Sequence, residues 1–581
     1  MTNTGSVAAK HAVQLYVSLP YTQLDRDNGV EKAAIQLVAY AKTGEAQEQT
    51  FEDVVLLEPG QSEEITLSFN AQELYSYDRT YAHDGVQGAW LLETGDYWFA
   101  TGNGAHDAVQ AVLAAAQPEA ADGLAPTGDA KMAPLSADTY LTTSNGVTIQ
   151  NRLNDADLNN LGTDVQVTYL TRNDWANTFP TPVPAMTVTE EMIFMLRNQT
   201  YSQEAVNANY DGPTSFTYGA KNNVKAVQLI GLDETDPMYD KVLDEMTLQQ
   251  LIDQYVSLLT PLTEVGMPVE NRADSPLGII GTIGQRSSGI FAVDKENEAF
   301  GRHTDCYVGA PLVAATFSPK LQSEEGRLIA NDALWTGYNV WFGPGMNLHR
   351  TPYNLRNVGY YSEDSVLTGR CSACVHTALN EKGILTNTKH FAFNDQETNR
   401  DGLAVFLNEQ AARENELRGF QIAIRDGGLK GLMTAFNRLG CTHVAAHQGL
   451  MNGILEGEWG YRGFTMTDSV KSSQYFLPRE TILAANHQML GGSNNGAVWG
   501  LTVDEVSKDP ALQNALRESY RRKLYVYVNS AVLNGITPES AASNSLVWWA
   551  LMLRIIMGLS FVGFVVYAVR FFLRERKERS M

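Results

Sequence analysis

The second half of the chain repeats one unit, a helical pattern followed by a glycine and a short apolar strand. Helical patterns at residues 323–335, 364–380, 409–424 and 447–455 lead to apolar runs at 340–342, 384–385, 432–434 and 464–466. Parallel strands need long crossover connections, usually helices, so these units predict a parallel sheet. So many units in one region favour an α/β fold of the (β/α)8 type, a TIM barrel over residues 241–540. A doubly wound open sheet is the alternative, but its glycine-rich phosphate loop is not found in the sequence.

Polar side chains follow these strands where each strand ends. Arg350 and Arg356 follow the run at 340–342, Lys389 and His390 follow 384–385, and Asp468 follows 464–466. The run at 432–434 ends in apolar side chains instead, Met433 and Phe436. Taken singly, an Asp after a strand caps a turn and a Met near a strand end belongs to the core. Because parallel strand ends of a barrel share one rim, we expect these groups to converge there. Cationic donors, an imidazole, a carboxylate and an apolar platform suit a sugar, and Asp468 is predicted to be a glycosidase nucleophile.

Charge and cysteine content exclude several classes of function. The net charge of −23 argues against nucleic acid as the main partner, because phosphate binding needs clustered Lys and Arg. Four cysteines in 581 residues are too few for a disulfide framework. Cys371 and Cys374 form a CxxC in a helical stretch without a second pair, which predicts core thiols instead of a redox or zinc site. We therefore expect no cofactor and no metal.

The first 104 residues predict an all-β module. Apolar residues alternate at 13, 15, 17 and 19, at 65, 67 and 69, and at 97 and 99, with turn residues between the runs. Short alternating strands of this kind are typical of a β-sandwich. The Ala-, Pro- and Gly-rich stretch from 105 to about 134 predicts a linker, and the remainder of 105–240 is a connecting region whose periodicity is too weak to assign.

Four strings carry a resemblance to a known family. GPGMNLHRTPYNLRNVGYYSEDSVLTG, TKHFAFNDQETNR, GLMTAFNRLG and GILEGEWGYRGFTMTDS resemble, in order, the barrel motifs of glycoside hydrolase family 3. RADSPLGI resembles the Asp-Gly-Pro segment of that family, and the β module resembles its fibronectin-III-like domain. The resemblance covers most of the chain, though not the segment from about 105 to 163.

The resemblance implies roles for individual residues. Asp468 would be the nucleophile, and Met433 and Phe436 would lie at the sugar face. The residues that would hold sugar hydroxyls are Asp274, Arg356, Lys389, His390 and Arg400. Phe436 stands where the family commonly has Tyr, and Ser469 where it commonly has Trp, which removes a hydroxyl near the nucleophile and opens the subsite.

A retaining glycosidase needs a second carboxyl as acid and base. The resemblance implies that this group comes from an α/β sandwich domain, and no such domain is recognisable in the chain. The order of module and barrel resembles a permuted arrangement of sandwich, module and barrel. We therefore expect the sandwich domain upstream of Met1, and the chain to be truncated at its N-terminus.

The C-terminal region predicts a membrane anchor. Residues 546–573 are apolar except for Arg554 and Arg570, and a basic tail follows at 574–581. The run is long enough to span a bilayer, although a buried amphipathic helix is the alternative. By the positive-inside rule the tail faces the cytoplasm and the barrel lies outside the cell membrane. Such an orientation needs an export signal, and none opens the sequence, which again suggests that Met1 is not the natural start.

Two classes of function remain open. The first is a membrane-anchored retaining β-glycosidase that acts on β-glucosides or small oligosaccharides through a covalent glycosyl-Asp intermediate. The second is a non-catalytic cell-surface carbohydrate-binding protein on a degenerate barrel, suggested by Phe436 and Ser469. Turnover of an aryl glycoside separates the two.

Overall fold

The computed structural model describes residues 1–121, 123–182, 185–197, 200–256, 261–279, 304, 306–470, 474–491, 499–536 and 548–579. Its N-terminal part is a β module, and the larger C-terminal part is an α/β barrel. The strands of the module are Ala12–Ser18 (β1), Gln36–Lys42 (β2), Ser76–His83 (β3), Val86–Leu92 (β4), Gly95–Gly102 (β5), Ala130–Leu135 (β6) and Asp138–Tyr140 (β7).

The module contains two antiparallel sheets, in the orders β2-β1-β5-β6 and β3-β4-β7. The alternation at 13–19 forms β1, and Val17 lies fully buried with Val38 and Tyr97 in the module core. The predicted strand at 65–69 is wrong, because that segment lies outside every ladder. Its side chains still alternate between half-buried and exposed, and Phe69 packs against the module core. The alternation of apolar residues at 65–69 therefore indicates which side chains are buried, although the segment pairs with no strand.

The linker expected from residue 105 is not present. The helix Ala105–Ala116 packs against β5 and buries Ala108, Ala111 and Val112. β6 then pairs with β5 over residues 95–100, and β7 pairs with β4, so the module extends to residue 140. The alanine-rich composition that suggested a linker also has the highest intrinsic helix propensity, and contact with β5 selects the helix.

Most strand pairs in the barrel region are parallel, as the repeated units predict, and one, between Arg438–Leu439 and Thr442–His443, is antiparallel. The strands are Arg272–Asp274 (β8), Val340–Phe342 (β9), Leu385–Thr386 (β10), Thr388–Phe391 (β11), Ala404–Val405 (β12), Gly431–Thr434 (β13), Arg438–Leu439 (β14), Thr442–His443 (β15) and Phe464–Thr467 (β16). β8, β9 and β10 form one parallel sheet, and β11, β13 and β16 form a second. β11 follows β10 almost directly in the sequence, so the second sheet begins where the first one ends. β12, β14 and β15 form a small separate sheet.

Contacts beyond β16 turn this arc back toward its beginning. Met466 forms a parallel bridge with Gln488, and Met489 N donates to Tyr255 O at 2.8 Å. Arg272 on β8 donates to the Gln488 side chain at 3.2 Å. The described strands therefore curve around a common axis, which is the TIM-barrel geometry and not an open doubly wound sheet.

Helices cover the outside of the barrel, and they include the segments near 323–335, 364–380, 409–424 and 447–455 that the sequence predicts. Their bounds are Met238–Glu245, Leu248–Tyr255, Ala310–Ala315, Pro319–Thr336, Ser365–Glu381, Glu409–Ala411, Arg418–Gly427, Pro478–Leu483, Val503–Val506 and Pro510–Val528, with π-helical turns at Ala412–Glu416 and Gly449–Glu458. Pro319–Thr336 begins with Ser318 as N-cap and ends at Gly337, whose φ of 81° suits only glycine well. Cys371 lies buried in the core, as predicted for a core thiol.

The connecting region carries little regular structure. Between residues 141 and 237, its α-helices among the described residues are the short segments Trp175–Thr178, Glu190–Met195 and Gln203–Ala208. Leu153 is fully buried in the barrel core, and Arg152 Nε bonds Glu458 at 2.8 Å. Because this segment is fixed by scattered side-chain contacts, it has no periodicity that a sequence could show.

The C-terminal helix Trp548–Arg579 runs for 32 residues. Its segment Leu551–Lys577 has a mean hydropathy of 2.1, and none of its most apolar stretch is buried. At about 1.5 Å per residue this segment is long enough to cross a bilayer core of about 30 Å. The buried-helix alternative is therefore not what the structure shows, and residues 546–547 of the predicted span lie outside the described residues.

Polar groups join the β module to the barrel. Tyr77 N donates to Glu414 at 2.5 Å, Gln410 Nε2 donates to Glu31 O at 2.7 Å, and Arg418 pairs with Glu73 at 2.6 Å. Loss of solvent at this interface raises the pKa of Glu414 to about 7. The folded state therefore favours the protonated form of Glu414.

We expect Glu414→Gln to reduce the dependence of stability on pH. A raised carboxyl pKa contributes stability at low pH, and that contribution is lost as the pH rises from about 4.5 through about 7. The neutral amide keeps an acceptor for Tyr77 N and cannot ionise. The measurement is the melting temperature of both proteins from pH 5 to pH 8, and that of the variant should rise relative to that of the parent as the pH rises. A difference in melting temperature that is the same at all pH values would contradict the argument.

Candidate active site

Asp468 lies at the end of β16, on the rim of the barrel. Asp468 N donates to Thr434 O at 3.0 Å, which continues the ladder between β13 and β16 by one residue. The carboxylate accepts from Ser469 N at 2.6 Å, and 14% of the side chain is exposed. The strand pairing therefore fixes the backbone, and one carboxylate edge stays reachable from the barrel mouth.

Lys389 and His390, on β11, lie beside Asp468. Lys389 Nζ forms an ion pair with Asp274 Oδ1 at the end of β8, across the inside of the barrel. His390 Nε2 lies 3.3 Å from Asp468 Oδ2. Three strand ends thus bring four of the predicted sugar-site residues into one cluster.

Tyr360 and Asn394 orient the imidazole of His390. The Asn394 amide donates to the Tyr360 hydroxyl at 2.9 Å, and that hydroxyl lies 2.9 Å from His390 Nδ1. Because an ionised Asp468 can only accept hydrogen bonds, the proton of a neutral His390 belongs on Nε2. Nδ1 is then the acceptor of the Tyr360 hydroxyl proton.

Arg356 and Arg400 complete the cationic side of the site. Glu397 Oε2 accepts from Arg356 Nη2 at 2.9 Å and from Arg400 Nη1 at 2.8 Å. The Arg400 guanidinium also lies 4.4 Å from the centroid of the Phe436 ring. Both arginines therefore keep further N–H donors for a ligand.

The apolar candidates lie at the floor of the site. Phe436 and Met433 are almost fully buried in the main barrel core, and Met433 pairs in register with Lys389 on the neighbouring strand. Arg350 points elsewhere, because it pairs with Glu416 at 2.6 Å and approaches Asp395 at 3.9 Å.

Sequence reasoning missed three residues of this cluster, namely Tyr360, Asn394 and Glu397. All three fall inside the quoted family strings, yet none follows a strand directly. A search for polar side chains at strand ends therefore passes over them. Their role in the cluster is visible only from the hydrogen bonds that link them.

Electrostatics give the carboxylate and the imidazole distinct states. Burial raises the pKa of Asp468 to about 6, with Lys389 and Arg400 opposing that rise and Asp274 adding to it. Burial, and then the charges of Lys389, Arg356 and Arg400, hold the pKa of His390 well below its ordinary value. Above about pH 6 the pair is therefore an ionised carboxylate facing a neutral imidazole N–H, which suits attack on an electrophilic carbon. Within the described residues, no three His, Cys, Asp or Glu side chains form a metal-binding group.

Comparison with known proteins assigns this arrangement to a class. Residues 290–492 match the model of the "Glycosyl hydrolase family 3 N terminal domain". "Beta-glucosidase A" of Butyrivibrio fibrisolvens is 25% identical over 508 residues, which cover 84% of this chain and 52% of that protein. "Beta-glucosidase" of Ruminococcus albus is 33% identical over 207 residues, which cover 36% of this chain and 20% of that protein. The crystal structure of a beta-glucosidase from Paenibacillus barengoltzii aligns with a TM-score of 0.66 at 22% identity, over 92% of this chain and 53% of that chain.

The structural alignment agrees with the TIM-type barrel described above, and the family model covers the strands that carry Lys389, His390 and Asp468. Residues 290–492 therefore match a family 3 domain and the chain is similar to beta-glucosidases, which confirms the resemblance carried by its barrel motifs. It spans about half the length of the relatives that align with most of it, 52% of one and 53% of the other.

We expect Lys389→Met to shift the titration of Asp468 to higher pH. Lys389 is the strongest of the groups that oppose the raised pKa of Asp468, and its removal also leaves Asp274 as an unpaired like charge. Carbon-13 NMR of labelled aspartate carboxyls measures the shift, with the resonance assigned by its loss in Asp468→Asn. The control is Lys382→Met at an exposed helix end, and equal midpoints in both variants would contradict the assigned electrostatics.

Proposed function

We propose that the chain is a retaining β-glycosidase that hydrolyses O-glycosidic bonds of β-glucosides or small oligosaccharides through a covalent glycosyl-Asp468 intermediate. The observation that carries the proposal is the pairing of the largely buried Asp468 with His390 at 3.3 Å, between two cationic groups on a barrel rim. The similarity of the chain to beta-glucosidases supports the choice of sugar and linkage.

The proposed chemistry begins with attack by Asp468 on the anomeric carbon. A bond forms between a carboxylate oxygen and that carbon, while the bond to the leaving oxygen breaks. The leaving oxygen takes the bonding electron pair and, unless it is a stable phenolate, a proton from the second carboxyl that a retaining glycosidase needs. Water later cleaves the glycosyl ester and restores the carboxylate. His390 keeps Asp468 oriented through its Nε2 proton, and neutrality of the ring keeps a second positive charge from weakening the nucleophile.

The remaining site residues bind and orient the sugar in this proposal. Asp274 and Lys389 form a donor–acceptor pair for neighbouring hydroxyls, and the free N–H groups of Arg356 and Arg400 point to others. The Phe436 ring and Met433 supply the apolar surface under the sugar ring. Their burial in the barrel core keeps that surface rigid.

We further propose that the other parts of the chain position this barrel at a membrane. The β module, residues 1–140, would be a fibronectin-III-like domain held by the contacts of Glu73 and Glu414. The helix Trp548–Arg579 would cross the cell membrane once, with the barrel outside and the basic C-terminal end in the cytoplasm. The exposed apolar surface of this helix supports the anchoring role.

We expect Asp468→Asn to abolish turnover of 2,4-dinitrophenyl β-glucoside. The leaving group departs without protonation, so the first release of dinitrophenolate depends on the nucleophile alone, and an amide cannot form the ester. Loss of this step should cost at least about 4 kcal/mol of transition-state stabilisation, or about a thousandfold in rate. Asp426→Asn, an exposed carboxylate paired with Arg425, serves as the control and should retain full activity.

The covalent intermediate can be observed directly in the same system. The 2-fluoro analogue of the dinitrophenyl glucoside slows ester hydrolysis, so the protein mass should rise by one fluoroglycosyl group. Peptide mapping should locate that group between residues 463 and 469. Turnover by Asp468→Asn above about a hundredth of the parent rate, or labelling at another carboxylate, would remove Asp468 as nucleophile.

We expect a chain ended at Ser543 to be extracted without detergent and to keep the barrel intact. The helix that follows contributes no buried side chain in its most apolar segment, so its removal exposes no core. The measurements are partition between membrane and aqueous fractions, and the melting temperature of the barrel. Unfolding of the shortened chain would show that the helix packs as part of the folded core.

A further inference from the structure

Glu397 links the two arginines of the site through one oxygen atom. Its Oε2 accepts from both Arg356 and Arg400, at 2.9 and 2.8 Å, while its Oε1 accepts from the Asn394 amide at 3.2 Å. Its side chain is 19% exposed, so these bonds are largely shielded from water. Each arginine makes a single hydrogen bond to this carboxylate, which fixes its direction and leaves further guanidinium donors for a ligand. Arg400 Nε also lies 4.0 Å from Asp401 Oδ1.

Glu397 is also connected to the nucleophile by consecutive polar contacts. Asn394 donates both to Glu397 and to the Tyr360 hydroxyl, which contacts His390 Nδ1, and His390 Nε2 contacts Asp468. Each step spans between 2.9 and 3.3 Å. A change at Glu397 therefore reaches Asp468 both through this series of contacts and through the charges of the arginines.

The state of Glu397 excludes a role as proton donor. Burial raises its pKa, but the hydrogen bonds and charges of Arg356, Asn394 and Arg400 outweigh burial and leave the pKa below its ordinary value. Glu397 is therefore ionised at neutral pH. Its single negative charge offsets part of the positive charge of Arg356 and Arg400. Both arginines interact electrostatically with Asp468.

We propose that Glu397 is a positioning residue, which holds Arg356 and Arg400 in the direction of the sugar and offsets their charge against Asp468. Without Glu397 two guanidinium groups would repel each other and separate, and a substrate would have to order them on binding. Their uncompensated charge would also stabilise ionised Asp468 and make it a weaker nucleophile. This role rests on the proposed glycosidase function, because the sugar is the ligand that the arginines hold.

Glu397→Gln and Glu397→Asp separate position from charge. The amide keeps the length of the side chain and loses the charge, whereas Asp keeps the charge and is too short to reach both arginines. The matched control is Asp240→Asn, because Asp240 Oδ1 also contacts two arginines, Arg517 and Arg521, but is 56% exposed and outside the site.

Two readouts are measured on the full chain. The first is the KM for dinitrophenyl β-glucoside, which should rise about tenfold in both Glu397 variants, as expected for about 1.4 kcal/mol of lost ordering. The second is the titration midpoint of Asp468 by carbon-13 NMR. The groups that act on this midpoint from the neighbouring elements are Lys389 and His390 on β11, Asp274 on β8, Arg356 and Arg400 on the rim, and Tyr475 after β16.

The midpoint should move to lower pH in Glu397→Gln, since a negative charge is lost, and stay near that of the parent chain in Glu397→Asp. Asp240→Asn should change neither readout. An unchanged midpoint in folded Glu397→Gln would overturn the proposal, as would an unchanged KM in both variants. If the parent chain shows no turnover, the glycosidase proposal fails while the NMR titration still decides whether Glu397 offsets charge at Asp468. Unfolding of Glu397→Gln would leave Glu397→Asp to decide the positioning role, through binding of glucose followed by NMR.

Discussion

The whole site depends on keeping a carboxylate charged at the largely buried rim of the barrel. Removing Asp468 from water disfavours its ionised form, and the raised pKa reports that cost. The cost is partly offset by the charges of Lys389 and Arg400 and by the Ser469 N–H, each supplied by a different part of the chain. An ionised Asp468 therefore depends on groups from several strand ends and their loops, which is why the barrel must be complete before the candidate site is.

Charged groups buried deeper in the barrel, below the rim, also need partners. Glu270 precedes β8 and pairs with Lys523 of the helix Pro510–Val528 at 3.1 Å, and Arg272 on β8 bonds Gln488 at 3.2 Å. These contacts fix the strand that carries Asp274 two residues later. The buried charges of Glu270, Arg272 and Lys523 therefore also help to align β8. Burying such pairs adds little net stability, and their value lies in fixing which strand stands next to which.

The sequence predicts the elements better than the loops between them. The repeated helix, glycine and strand units predict that Asp468 follows a strand, as it does, because strand ends can be recognised from apolar runs. Lys389 and His390 are predicted to follow the strand at 384–385 and lie instead within β11, the next strand. Arg350 and Arg356 follow the same strand, and only the fold of their loop decides their partners. Arg350 pairs with Glu416, and Arg356 pairs with Glu397. Glu397, Asn394 and Tyr360 lie in segments without periodicity, so their convergence depends on tertiary contacts. The helix Ala105–Ala116 was missed because its only signal is an alanine-rich composition that also suits a linker.

The late position of β6 in the sequence governs how the β module can be made and handled. β5 finds its outer neighbour only when residues 130–135 have been synthesised, after a helix and a loop have intervened. During translation β5 therefore remains an unpaired edge strand while about thirty further residues are synthesised. In that time its backbone can pair with a strand of another chain. A fragment ended at residue 104 would carry that edge permanently. The smallest piece of this module suited to separate expression therefore ends after residue 140, beyond the boundary that composition alone suggests.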